Sequence, residues 1–486
     1  MHEHHSLRHS IVSMVFSVIE SFDLVPFIFN LTNNFLHTMR REVMWPRLVA
    51  SKLLRKTLGS NNFVADFPGS FLDLPTLDLE PVPSPKILFT NHHDTQNFKV
   101  FVSTWNVGGV APTEYLNIDD LLDTSNTPCD IYVLGFQEVV PLRASNVLGS
   151  DKKKISMKWN SLIRRTLNKK SHDRYYKNNN LSDKQLQHVT KVKKSNAESS
   201  SMIRPEFRCL ISKQMVGIMI SVWVRSDLHP FFRNPSVSCV GCGIMGCLGN
   251  KGSVSVRFQC HETSFCFVCT HLASGGREGD ERLRNSNATD IFSRTSFPTA
   301  MRPSLDLPKT ILDHDRVVLL GDLNYRISLP ENETRLLVKR KDWNTLLEND
   351  QLRMELMDGQ AFEAWNEGTI SFAPTYKYKL NCDEYYGCGP LGTKAKKKRA
   401  PAWCDRIIWT GEGLKQLLYT RSETRLSDHR PVKAMFSVEV KVSRTRYQSF
   451  CLSERFGRPR HSNLDFHSDD EYSGRLSFDV KSKMTP

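Results

Sequence analysis

One figure recurs along this chain of 486 residues: an apolar run of strand length that breaks off into polar residues. Lys99-Val100-Phe101-Val102-Ser103-Thr104 empties into Trp105-Asn106, and Ile131 to Phe136 ends in Gln137-Glu138. Ser264 to Cys269 delivers Thr270-His271, and Arg316-Val317-Val318-Leu319-Leu320 opens into Gly321-Asp322-Leu323-Asn324. Runs this short, rich in Val, Leu and Phe, read as buried strands. A fold built on them carries polar side chains at its strand ends, which is where active sites are built.

The figure appears in reverse from Ala400 to Trp409. Pro401 forces an extended entry and Ile407, Ile408 and Trp409 read as a buried strand, so Asp405 and Arg406 sit where a loop meets a strand. Ser427-Asp428-His429-Arg430-Pro431 follows. His429 is the side chain best suited to moving protons or holding an extra positive charge near neutral pH, and Asp405 is its expected orienter. Glu138, at a strand end, suits a hard metal ion. Asp322 and Asn324, two residues apart, share one face if their strand continues, which suits a base beside an amide that positions water. His271, at a strand end before a Gly-rich loop, is placed to touch a phosphoryl oxygen. Lys251, at the tip of a glycine-rich turn, reads equally well as a phosphate ligand and as a hairpin cation.

Three tempting readings fail. Gly241-Cys242-Gly243-Ile244-Met245-Gly246 has the form of a dinucleotide fingerprint, but it runs through Gly249-Asn250-Lys251-Gly252 into the alternating strand Ser253-Val254-Ser255-Val256, where the fingerprint needs a helix. Cys239, Cys242 and Cys247 lack a second pair for zinc, and Cys266 and Cys269 fall on opposite faces of a strand and cannot grip one metal. Ile11 to Leu36 is interrupted by Glu20, Asp23 and Pro26 well short of a membrane span. Twelve scattered cysteines with no cleavable signal peptide ahead of them predict free thiols in a reducing cytoplasmic or nuclear compartment.

Lys and Arg number 66 against 52 acids, a net charge of +14 that favours polyanionic partners without choosing among nucleic acid, anionic membrane and phosphorylated small molecules. Pro75, Pro81, Pro83 and Pro85 stiffen a linker, which places residues 1–95 as an N-terminal extension and the main domain at 96–440. Residues 150–205 read as a polar insertion with one basic helix around Trp159 to Leu167, and 441–486 as a disordered tail.

Taken in this order, the strand ends resemble those of the endonuclease/exonuclease/phosphatase superfamily. Gly321-Asp322-Leu323-Asn324-Tyr325-Arg326 and Pro401-Ala402-Trp403-Cys404-Asp405-Arg406 are similar to the two signatures of inositol polyphosphate 5-phosphatases, most of all the plant type I enzymes. The resemblance implies an α/β fold, a four-layer DNase I-like sandwich of two mostly antiparallel β-sheets flanked by helices. It implies a Mg²⁺-dependent phosphomonoesterase that removes the 5-phosphate from inositol 1,4,5-trisphosphate, phosphatidylinositol 4,5-bisphosphate or both. Glu138 and Asn106 would hold Mg²⁺, Asp322 would take the proton of the attacking water, and Asn324 would orient that water. His271 and His429, the latter paired with Asp405, would neutralise charge on the phosphoryl oxygens, with Asp428 close to the metal. Tyr376, Lys377 and Lys397 resemble the family's clamp for a 4-phosphate, and Lys251, Arg326 and Arg406 would add substrate contacts. The expected protein is a monomer in the cytoplasm, at the periphery of the plasma membrane or in the nucleus, and does not bind nucleic acid. The rival readings are a nuclease of the same superfamily, which the basic charge would suit, and an inactive scaffold.

Overall fold

The computed structural model describes residues 61–66, 93–124, 128–141, 153–180, 206–243, 246, 248–298, 307–358, 361–387 and 399–443. The expectations for Ile11–Leu36, for the Pro-rich linker, for Lys397 and for the tail beyond 443 lie outside the described residues. Among the described residues no helix is long and apolar enough to cross a membrane.

Two six-stranded sheets form the centre. The first runs β11 (Leu414–Arg421), β12 (Val432–Ser443), β1 (His93–Asn106), β2 (Ile131–Gln137), β4 (Ile218–Arg225), β3 (Phe207–Met215). The second runs β5 (Phe232–Gly241), β6 (Gly252–Cys260), β7 (Thr263–His271), β8 (Arg316–Asp322), β10 (Asp405–Thr410), β9 (Asn366–Glu367). The pairs β1–β2 and β7–β8 are parallel and the others antiparallel.

The apolar runs are continuous, not alternating, because both faces of each sheet are covered. On β8 the residues Val318 and Leu320 join Val102, Val133, Ile220, Val254 and Phe267 in the core between the sheets. Their neighbours Val317 and Leu319 point outward with Cys266 and Val268 to pack under α3 (Asp280–Arg294) through Ala288 and Ile291. The outer face of the first sheet is covered by α2 (Lys153–Asn180), which buries Trp159, Leu162 and Ile163 against Phe101, Phe136 and Trp223. Helix, sheet, sheet and helix make the expected four layers. The two cysteines of Phe265-Cys266-Phe267-Val268-Cys269 fall in different cores, as a strand period of two requires. Gly241 and Gly252 pair across the β5–β6 turn, so the glycine-rich segment is a hairpin connection.

The described structure departs from the expected boundaries. The main sheet begins at His93 and extends to Ser443, and residues 61–66 of the supposed extension pack on the domain. Val64 exchanges backbone hydrogen bonds with Ser212 on edge strand β3, while the Asn61 side chain accepts from Val237 N and Ser236 on edge strand β5. The insertion opens with a helix that continues to Asn180, well past the expected Leu167.

Candidate active site

Sheet register alone brings the polar strand ends together. Parallel β1 and β2 finish side by side at Asn106 and Gln137, and parallel β7 and β8 finish at His271 and Asp322, which are paired residues. Antiparallel β10 starts with Asp405 opposite Asp322, and β6 starts with Gly252 opposite His271, just after Lys251. Antiparallel β12 starts with Val432 opposite Thr104, which carries Asp428 and His429 to the same end. Gly321 has φ +158°, and a Cβ there would lie 2.1 Å from the Thr270 carbonyl oxygen, so only glycine lets β8 lie this close to β7 at the catalytic end. Glu138 (φ 53°) and Asn324 (φ 59°) both adopt left-handed backbone directly after their strands, a conformation that costs free energy and clusters at functional positions.

Asp322 is the hub. Its Oδ2 accepts from Asn106 Nδ2 at 2.8 Å and lies 3.3 Å from His271 Nε2 and 3.9 Å from His429 Nε2, while Oδ1 accepts from the backbone N–H of Asn324 at 3.1 Å. His429 Nδ1 lies 2.8 Å from Asp405 Oδ2, an oxygen that also accepts from Thr375 Oγ1 at 2.7 Å. Burial disfavours charge on all of these groups, yet their mutual attraction wins at two of them. Burial would lower His429, but Asp405 and Asp322 push it up to about 9, so the imidazole is cationic at neutral pH. Burial would raise Asp322, but His429, His271 and Lys251 hold its carboxyl well below the usual carboxylate range. Burial drives Lys251 down to about 8, and its ammonium contacts His271 Nε2. Burial and Lys251 together lower His271, which is therefore a neutral ring beside a cationic one.

Of the expected site residues, Asn106, Glu138, Lys251, His271, Asp322, Asn324, Arg326, Tyr376, Lys377, Asp405, Asp428 and His429 gather at this end of the sandwich. Lys251 is thus half-buried among these groups, with its ammonium against His271. The Arg326 guanidinium stacks 4.6 Å from the Tyr376 ring, against which the His429 ring also packs at 4.5 Å. Lys377 Nζ is paired with Asp428 Oδ2 at 2.5 Å, so Asp428 neutralises this lysine.

Arg406 is a correction. Adjacent strand residues point to opposite faces, and Arg406 turns away from Asp405 into a fully buried ion-pair network with Asp350 (2.8 Å) and Glu367 (2.5 Å), where it cannot reach substrate. Asn324 is a second. The strand stops at Asp322, and the Asn324 amide is used at both ends, donating to Leu272 O at 3.2 Å and accepting from Arg326 at 2.7 Å. Its backbone N–H holds Asp322. Asn106 turns its amide nitrogen to the acids, donating to Asp322, while Oδ1 accepts from Gly108 N at 3.0 Å.

Glu138 fits a metal. Its carboxylate is 28% exposed, and among the described residues it has no lysine or arginine within ion-pair distance, its neighbours being Asn106 Nδ2 at 3.5 Å and His271 Nε2 at 3.8 Å. With Asp322 it forms an oxygen donor set suited to a hard divalent cation. Asp322, Asp405 and His429 also place ligand-type atoms within 4.8 Å of one another, but Asp405 and His429 are already spent on each other.

Sequence reasoning missed Thr375, which fixes Asp405, and Arg399, whose Nη1 donates to the Tyr376 hydroxyl at 2.8 Å. Thr375 stands next to the Tyr376-Lys377 pair, and Arg399 closes the cationic run before Ala400, so proximity to those motifs was their available signal.

This two-sheet sandwich with its polar end defines a protein of the endonuclease/exonuclease/phosphatase class, and the model of Endonuclease/Exonuclease/phosphatase family 2 matches residues 103–435. Within that class, the chain belongs to the inositol polyphosphate 5-phosphatases. It is 62% identical over 419 residues to type IV inositol polyphosphate 5-phosphatase 9 of Arabidopsis thaliana, covering 85% of this chain and 96% of that protein. Type I inositol polyphosphate 5-phosphatase 8 of the same plant is 43% identical over 432 residues, covering 83% and 87%. Among solved structures, the inositol polyphosphate 5-phosphatase domain of SPsynaptojanin, crystallised with inositol (1,4)-bisphosphate and calcium ion, superposes with a TM-score of 0.57 at 30% identity, covering 72% of this chain and 87% of that one.

Proposed function

We propose that this protein hydrolyses the 5-phosphate monoester of inositol polyphosphates with the help of a Mg²⁺ ion. The observation that carries the reading is the Asp405–His429–Asp322 alignment, which presents a cationic imidazole and an ionised carboxylate side by side among buried groups. Phosphate-monoester hydrolysis is among the slowest uncatalysed reactions, so the site has to supply charge stabilisation and a positioned water.

Glu138, with Asp322 beside it, would hold the metal, which when bound offsets charge on the phosphoryl group. Asp322 Oδ2 accepts a hydrogen bond from the attacking water and takes its proton as the new P–O bond forms. Asn106 and the Asn324 backbone keep that carboxylate aimed. His429, oriented by Asp405 and Thr375, donates from Nε2 to the phosphoryl oxygens as their charge grows. Lys251 adds a second positive charge there, with the neutral His271 ring packed beside it and Asp322. Arg326, Tyr376, Lys377 and Lys397 would grip the neighbouring 4-phosphate, Lys377 exchanging its Asp428 partner for substrate. The bond from phosphorus to the inositol 5-oxygen breaks as the water's bond forms, that oxygen takes up a proton from solvent, and phosphate is released without a phosphoenzyme, since among the described residues the site places no thiol as a nucleophile: Cys404 is fully buried, and burial pushes its thiol far up.

Both soluble inositol 1,4,5-trisphosphate and the lipid phosphatidylinositol 4,5-bisphosphate carry the required adjacent phosphates, and the net charge of +14 suits an anionic membrane surface. The test is release of free phosphate from inositol 1,4,5-trisphosphate with Mg²⁺, run beside nicking of plasmid DNA. Phosphate release without nicking supports the reading; nicking without phosphate release overturns it in favour of a nuclease, and neither activity in favour of a scaffold.

A further inference from the structure

The site leaves one buried charge unexplained, and it sits on α3. Arg284 is completely buried, with its guanidinium 5.2 Å from the Tyr325 ring. Nη1 donates to the Gly275 carbonyl at 3.2 Å, in the loop that follows His271, and Nη2 donates to Gln351 Oε1 at 2.7 Å. Nε is buried with no hydrogen-bond partner. Among the described residues no carboxylate lies within ion-pair distance of this guanidinium. Its charged neighbours are Arg326, another cation, and Asp280 one turn back on α3, whose carboxylate accepts from Arg277 N at 2.8 Å. Proteins rarely tolerate a buried cation with no anion, because its desolvation is uncompensated.

Gln351 ties the Arg284 guanidinium to the backbone of Arg326. The Oε1 that accepts from Arg284 also accepts from the backbone N–H of Arg326 at 2.9 Å, and Gln351 N returns a bond to Arg326 O at 2.9 Å. Arg326 in turn holds Asn324 through its carbonyl and side-chain oxygens. A carboxylate at 351 would neutralise Arg284 with almost no change in shape, yet the chain places a neutral amide there. The neighbouring residues tie the same two loops to α3: Asn285 Oδ1 accepts from the Tyr325 hydroxyl, and Asn287 Oδ1 accepts from Ala273 N at 3.1 Å.

We propose that Arg284 is a positioning residue whose uncompensated charge, relayed through Gln351, fixes Arg326 and the Gly275 loop for an anionic phosphate group of the substrate, which completes the charge balance on binding. This inference rests on the phosphatase reading for the identity of the anion. The plain alternative is that Arg284 only fills the core under α3, in which case damage to binding and damage to stability go together.

Gln351→Glu separates the two. It supplies the missing anion and preserves size, so the proposal expects a melting temperature equal to or above that of the wild type. It also expects inositol 1,4-bisphosphate to bind about ten-fold more weakly by calorimetry, because the new carboxylate competes for Arg284 and Arg326. In steady state, KM for the trisphosphate should rise by a similar factor while kcat changes less. Arg284→Lys, which keeps the charge and loses the fork, should fall between wild type and Gln351→Glu in affinity. The proposal is overturned if Gln351→Glu binds the bisphosphate as tightly as the wild type, or if its affinity and melting temperature fall together. A wild-type protein that binds the bisphosphate but releases no phosphate would sink the proposed reaction and leave this inference readable from the binding arm; one that binds no bisphosphate overturns both.

Discussion

Asp405→Asn should convert the enzyme's alkaline limit into a neutral one. In the native site His429 is held up at about 9, chiefly by the Asp405 carboxylate 2.8 Å from its Nδ1. With charge centres about 4 Å apart and an effective dielectric of about 20, the attraction is worth about 4 kcal/mol, or about three pKa units. Asparagine can still accept from His429 and from Thr375, so the hydrogen bonds survive and the charge alone is lost. Without it His429 should titrate near about 6, leaving about one molecule in a hundred with a cationic imidazole at about pH 8. The expected result is a loss of about a hundred-fold in kcat/KM at that pH, shrinking to a few-fold at about pH 5.5. Stability follows the same proton. Because the folded pKa is raised, His429 contributes its full stabilisation below about 6.5, the unfolded value, and loses it as pH rises through about 9. The variant's melting temperature should therefore lose that pH dependence. The assay is phosphate release across this pH range, with a thermal melt at each point. An alkaline limb that stays near 9 in Asp405→Asn would refute the role given to the pair.

Three further substitutions probe the remaining roles. Asp322→Asn removes the base while keeping size and shape, and should abolish turnover with product binding nearly intact; near-normal turnover would end the assignment. Glu138→Gln replaces a hard ligand by a poor one and should shift the Mg²⁺ requirement upward by about ten-fold or more, so a Mg²⁺ titration that overlays the wild type would count against it. Lys377→Ala should cost about 1.5–3 kcal/mol on substrates bearing a 4-phosphate and little on those without, and equal losses on both would show that the lysine is only a surface charge.

How much of this was legible beforehand follows from where the information lies. The strands were visible because both faces of each sheet are buried, which writes an unbroken apolar run into the chain; Val317 to Leu320 show this plainly, two residues facing each core. The catalytic end was visible because polar residues stop those runs. What each polar side chain touches was harder to read. Arg406 follows Asp405, and the period of two that sends one into the site sends the other to Asp350 and Glu367, partners on segments with no local signal in the motif. For Asn324 the shared strand face was the unreadable part: the strand ends at Asp322, and left-handed backbone re-aims the amide. The Arg284–Gln351 contact joins residues 67 positions apart and was invisible to any local pattern.

The short segment Asn61 to Asp66 has a consequence for handling the protein. β3 and β5 are the outermost strands on one flank of the sandwich, and an uncovered strand edge is a template for pairing with another copy. Val64 and Asp66 occupy hydrogen-bonding positions along β3, while Asn61 blunts β5. A truncation that starts at β1 would keep every catalytic group and strip this guard. Its fault should be clumping, not lost chemistry: fresh protein should turn over normally and then gain mass by light scattering on standing. A truncated chain that stays monomeric would show that the flank protects itself.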